Sequence, residues 1–191
     1  MTGQESLELI TRMIKNAKND YYTTGLTALL WGSVITICGL VTFANYYLQW
    51  PALDYVWFLT IIAVLPTVMI TIRERKMRKH RSYEDDRIGG IWISYAIAIF
   101  LLSYLEGRYP GPQESAIFLT LYGVPTFATG YTRQFRPMII GGLACWVFAI
   151  LSTLCPFPYP MLFIAAAAQL AWFIPGLILR KCYLKAKENN V

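Results

Sequence analysis

The 28 charged residues of this chain, and its single histidine, are placed so that none falls inside any of six long apolar runs. Those runs cover residues 22–47, 55–72, 88–105, 115–131, 138–155 and 161–179. Crossing a hydrocarbon core of about 30 Å takes about 20 helical residues. The third, fourth and fifth runs are near the short limit, and all six qualify. The chain is 56% hydrophobic and 15% charged, against about 25% charged in soluble domains. What decides the class is the clustering of those charges. The expectation is an all-α polytopic membrane protein, a bundle of six transmembrane helices.

The basic residues orient such a bundle. Seven of the 17 Lys and Arg fall in the interval 73–87, three in the N-terminal segment, two at Arg133 and Arg136, and four in the C-terminal tail. The three alternate turns hold one, Arg108. The positive-inside rule therefore places both termini and the 73–87 loop in the cytoplasm. Tyr46, Tyr47, Trp50 and Trp57 then fit an aromatic belt on the opposite side. Basic residues beside membrane segments serve orientation, so the net charge of +6 is no argument for nucleic acid.

The first twenty residues lack the apolar core of a signal peptide. Leu7, Ile10, Ile14 and Ala17 instead share one helix face, Thr2 and Glu5 have the spacing of a capping box, and Glu8 and Arg12 are placed to pair. Residues 1–21 read as a cytoplasmic amphipathic segment with an interfacial helix over 4–20; a frayed tail is the alternative. Residues 22–181 form the membrane domain and 182–191 a cytoplasmic tail. Cys38, Cys145, Cys155 and Cys182 show no paired spacing and read as structural thiols.

Each even-numbered run follows its odd partner through a short proline-containing turn, LQWPALD, EGRYPGPQES or CPFPYP, which implies three helical hairpins. The hairpins share a regularity. Gly32, Gly90 and Gly142 recur at 58 and 52 residues, and Pro66, Pro125 and Pro175 at 59 and 50. Three parallel repeats would produce this; so would chance, since Gly and Pro are frequent in membrane helices. Small residues also align in stripes: Gly25, Ala28, Gly32, Thr36 and Gly39; Gly90, Ser94 and Ala98; Gly142, Cys145, Ala149 and Ser152. Close approach at small residues holds membrane helices together. The expectation is that the odd helices meet at the centre and the even ones wrap around them, with Ala165–Ala168 making a further tight contact.

Chemistry is sparse. Ionisable groups at membrane depth mark proton relays and ion pathways, and the runs contain none. A proton-coupled pump and an intramembrane protease or metalloenzyme are thereby disfavoured. His80, Asp85 and Asp86 crowd acid–base groups in the central loop, without a phosphate cradle or a metal-ligand spacing beside them. No catalytic residue, metal or cofactor is expected. Arg73, Arg75, Lys76, Arg78, Lys79 and Arg81 have the clustering of an anionic-lipid contact, or of a site for an acidic cytosolic protein, as an addition to the role the charge asymmetry supports best, topology anchoring. Thr120, Gly123, Thr126 and Gly130 form a polar-to-small face on the fourth helix, and Gln169 is central in the sixth. These five either line a substrate path or pack against neighbours.

Gln4-Glu5-Ser6-Leu7, Met13-Ile14, Ala17-Lys18-Asn19, Thr24-Gly25 and Leu30-Trp31-Gly32 together resemble a group of small bacterial membrane proteins without assigned activity. Tyr83-x-Asp85-Asp86 and Ile91-Trp92 extend the likeness. It implies a bacterial cytoplasmic membrane and no mechanism. The expected function is a non-enzymatic partner-binding or regulatory membrane protein. The alternative is a small carrier or channel for a neutral or lipid-like solute.

Overall fold

The computed structural model describes residues 24–77, 83–109, 111 and 113–188, and these are all-helical. Helix α1 (Leu26–Leu48) leads through a 3₁₀ turn (Pro51–Trp57) into α2 (Phe58–Met77). Then follow α3 (Tyr83–Arg108), α4 (Glu114–Thr132) and α5 (Arg136–Leu154). The sixth rod is composite: α6 (Tyr159–Ala168), a π-helical turn (Gln169–Phe173) and α7 (Ile174–Glu188). The helices thus run into intervals that read as loop or tail in the sequence: α2 to Met77, α3 from Tyr83, and α7 through most of the tail, to Glu188. The amphipathic segment at 1–21 lies outside the described residues.

Among the described residues, five rods are long and apolar enough to cross a membrane. The exception is α4, whose Ser, Thr, Tyr and Gly content dilutes its apolar residues. Six crossing helices were expected from run length alone, and by length and hydropathy five qualify.

Helix ends follow local chemistry. Helix α1 stops where Gln49 turns left-handed at φ 53° and its N–H bonds the Asn45 carbonyl at 2.7 Å; Pro51 then opens the 3₁₀ turn. Between α4 and α5, Gln134 is left-handed at φ 49°. Phe135 N–H bonds Gly130 O at 2.8 Å and Gln134 N–H bonds Tyr131 O at 3.1 Å, the paired bonds of a Schellman motif. In the sixth rod, Pro175 has no N–H and would press on the carbonyl four residues back. The widened turn just before it, where Ile174 N–H bonds Gln169 O, absorbs that conflict.

The sixth rod occupies the centre, contrary to the expectation that the odd helices meet there. Helices α1, α3 and α5 make no extensive contact with one another; α1, α4 and α5 pack on the sixth rod instead. The glycines explain why. A Cβ at Gly32 would lie 2.6 Å from Phe173 N, and one at Gly141 would lie 2.5 Å from the Ala171 Cα. The π turn is therefore gripped between glycines of α1 and α5. Gly25 and Gly39 continue the α1 stripe at seven-residue steps, against Gly176 O and Met161 O. Ala165, Ala167 and Ala168 are buried, the tight contact expected of that run.

The α4–α5 hairpin is the closest pair in the molecule. A Cβ at Gly142 would press on the Phe127 backbone, one at Gly130 on Ile139 N, and one at Gly123 on the Trp146 indole. Helices α2 and α3 are peripheral: α2 packs on α1 and its own 3₁₀ turn, and α3 on α4. Around Gly90 there is only open space, and Ser94 is exposed. The stripe expected to bring α3 into the centre thus faces outward. Gly32, Gly90 and Gly142, equivalent by spacing, occupy unequal surroundings.

Candidate functional site

Two places carry the residues singled out by sequence, and they are separate. The first is the interior around α4. Thr126 is fully buried; its hydroxyl donates to Tyr122 O at 2.9 Å and accepts the Trp172 indole N–H at 2.8 Å. Thr120 is exposed and bonds Ala116 O on its own helix, while its carbonyl accepts the Trp146 indole at 3.2 Å. Gly123 and Gly130 are the close-approach points toward α5 described above. Gln169 does not join this group: its Nε2 donates to Thr36 Oγ1 on α1 at 2.8 Å, and Thr36 in turn donates to Gly32 O at 2.7 Å. The five residues therefore divide between three contacts, each satisfied by protein.

An aromatic cluster completes this interior. Trp172 has Trp31, Trp92 and Tyr122 around it at ring separations of 6.4, 6.0 and 5.4 Å, and Tyr95 stands 5.9 Å from Tyr122. Trp92 Nε1 donates to Thr129 Oγ1 at 3.1 Å, which ties α3 to α4. Trp57 Nε1 donates in the same way to Thr42 Oγ1 at 3.0 Å, tying the approach to α2 onto α1. The recurring unit is an indole N–H meeting a threonine. At Thr42 and Thr126 the hydroxyl proton is already given to the carbonyl four residues back, so an oxygen lone pair faces the indole. Sequence inspection missed these pairs. For Trp172 the signal was its place deep inside an apolar run, where an indole N–H needs an acceptor; Trp57 and Trp92, near the ends of theirs, gave no such signal.

The interstice lined by Ile35, Tyr122, Cys145, Ala167, Ala168, Ala171 and Trp172 has no room for a water molecule. Among the described residues, every buried side-chain nitrogen and oxygen has a hydrogen-bond partner.

The second place is the basic end. Contacts bring the start of α1, the end of α2 and the middle of α7 together: Thr24 bonds Glu74 through both its N–H and its hydroxyl, and Gly25 lies against Gly176 and Arg180. Arg73, Arg75 and Lys76 are exposed on the last turns of α2, where the helix dipole favours cations. Arg136, Lys181 and Lys185 are exposed at the ends of α5 and α7 that the topology brings to the same side, and Arg180 lies over the Tyr183 ring at 5.6 Å. Arg78, Lys79, His80 and Arg81 lie outside the described residues. Comparison with protein-family models, with characterised proteins and with solved structures finds no significant match.

Proposed function

We propose that this is a six-span protein of a bacterial cytoplasmic membrane, with both termini cytoplasmic, that docks or regulates a partner through its basic face without catalysing a reaction. The observation that carries the reading is the separation of the two regions. The interior is closed by aromatic packing and satisfied hydrogen bonds, while exposed cations gather at one end. An acidic cytosolic protein or anionic phospholipid headgroups are the partners this charge suits.

The close pairing of α4 with α5, from Gly130 beside Ile139 to Thr120 beneath Trp146, supports counting α4 as the sixth span. A helix fixed to a spanning neighbour over its length crosses the same depth, and its exposed hydroxyls, Thr120 and Thr132, are bonded to carbonyls of their own helix. Three hairpins with both termini on the basic side follow from that count. The bacterial membrane rests on the sequence resemblance.

The test compares cross-linked native membranes carrying the wild-type chain with a variant in which Arg73, Arg75, Lys76, Arg78, Lys79 and Arg81 are all Gln. The expected result is an acidic partner held by the wild type, released at high salt and lost from the variant. Recovery of the same set of proteins and phospholipids with both chains contradicts the reading.

One observation favours a carrier for a neutral or lipid-like solute as the second reading. The central rod is interrupted by a π turn, a feature frequent at functional sites. Solute flux in proteoliposomes, abolished by Gln169→Leu, is its expected signature; no flux across a broad panel removes it.

A further inference from the structure

At the end of the bundle opposite the basic loops, the chain forms a hollow of about 640 Å³ lined by Asn45, Tyr46, Tyr47, Gln49, Pro51 and Asp54. It is open to the surroundings, and Asp54 is its one formally charged residue, a negative one in a chain of net charge +6. Its geometry is built by the break after α1. Asn45 is buried, and it holds both walls: its Oδ1 accepts the Trp50 N–H at 2.9 Å, and its Nδ2 donates to Asp54 Oδ1 at 2.6 Å. That contact fixes the carboxylate and occupies one of its oxygens.

The aromatic wall is a corner rather than a platform. Tyr46 and Tyr47 stand 5.2 Å apart at 87°. Each is braced from behind, Tyr46 by Phe157 at 5.5 Å and Tyr47 by Phe43 at 5.7 Å. Both rings keep half or more of their surface exposed. Two half-exposed tyrosine rings set at right angles, lining the same hollow as an oriented carboxylate, form an environment that attracts an organic ammonium, through ring quadrupoles and charge together. A sugar ring asks for a flat stacking surface, and an anion meets only like charge here.

We propose that this hollow binds an organic ammonium group, with Asp54 supplying the counter-charge and Tyr46 and Tyr47 the aromatic faces. The group can come from a soluble amine or from the headgroup of a zwitterionic phospholipid in the adjoining leaflet. This assignment is independent of the basic face and of any partner held there.

The test uses the full chain in nanodiscs of phosphatidylglycerol alone, with choline as probe and ligand-observed NMR titration as readout. Choline is expected to bind, and its neutral isostere 3,3-dimethyl-1-butanol is not. Asp54→Asn keeps an acceptor for Asn45 and removes the charge, weakening binding about tenfold. Tyr47→Leu weakens it about threefold. Unchanged thermal unfolding of each variant shows that the fold is kept. In nanodiscs containing phosphatidylethanolamine, competition against choline identifies the headgroup as the occupant, and undiminished choline binding identifies a soluble amine. Absence of choline binding, equal binding of the neutral isostere, or equal affinity in Asp54→Asn overturns the proposal.

Discussion

The sixth rod and helix α2 are equally apolar and live in opposite surroundings. Of the most apolar stretch of the sixth rod, 44% is buried inside the protein; for α2 and α3 the figure is 6%. Hydropathy does not separate them, at 2.0 for the sixth rod and 2.2 for the span containing α2. Residue size separates them. The sixth rod carries Ala165–Ala168 and Gly176 where α1 and α5 approach, whereas α2 presents Ile61, Ile62, Leu65 and Met69 outward. Lipid is as apolar as leucine, so bulk faces the bilayer and smallness marks the contact.

The sharpest challenge to this contrast is to place the same side chain in both regions. Gly141→Leu puts a branched chain where even a Cβ lies 2.5 Å from a neighbouring backbone. A loss of about 3 kcal/mol or more, or failure to assemble, is expected in detergent unfolding experiments. Gly90→Leu, made where a Cβ meets nothing, should leave the midpoint unchanged.

Next in size is truncation. Leu119→Ala, in the fully buried interior of α4, should cost about 2 kcal/mol or more. Leu65→Ala, on the 70% exposed face of α2, should change stability by less than about 0.5 kcal/mol. Equal costs would mean that α2 has protein neighbours its packing does not provide.

Smaller still is the indole–threonine bond. Trp172→Phe keeps most of the ring contact with Tyr122 and removes the N–H given to Thr126. A cost of about 0.6–1.7 kcal/mol is expected by steric-trap or denaturant titration. Trp92→Phe should cost a similar amount and loosen α3 selectively, visible as faster hydrogen exchange on that helix alone. The smallest effect runs the other way. Gln134→Gly relieves a left-handed residue in the α4–α5 turn and should raise stability by up to about 1 kcal/mol.

Much of this contrast was legible in the residues, though unevenly. The Gly25, Gly32 and Gly39 stripe marked a true contact face, because a seven-residue step keeps one side of a helix in register. Its partner was not legible, since a glycine says that something comes close and not what comes close. Gly90 shows the same limit: spacing made it equivalent to Gly32 and Gly142, but no large backbone neighbour reaches it. The polar face of α4 was visible as Thr120, Gly123, Thr126 and Gly130. That the Thr126 hydroxyl and the Thr120 carbonyl accept indoles from two other rods is a tertiary fact, which no local pattern encodes. The basic intervals were plain from charge alone. Asn45 and Asp54, nine residues apart across a helix break, became a unit only once Gln49 had turned the chain.

Cross-linking tests the central position of the sixth rod most directly. In a chain with its four native cysteines replaced, cysteines are introduced at Gly39 and Ala165. A Cβ at Gly39 would lie 3.3 Å from that of Ala165 and 2.8 Å from Met161 O, so a shift of a few tenths of an ångström away from the sixth rod both relieves that contact and brings the pair to disulfide spacing. The comparison pair is Gly90 with Gly142, which a centre made of odd helices would bring together. With mild oxidant in intact membranes, the account predicts an intramolecular disulfide for Gly39→Cys with Ala165→Cys and none for Gly90→Cys with Gly142→Cys. A disulfide in the second pair and none in the first would contradict it.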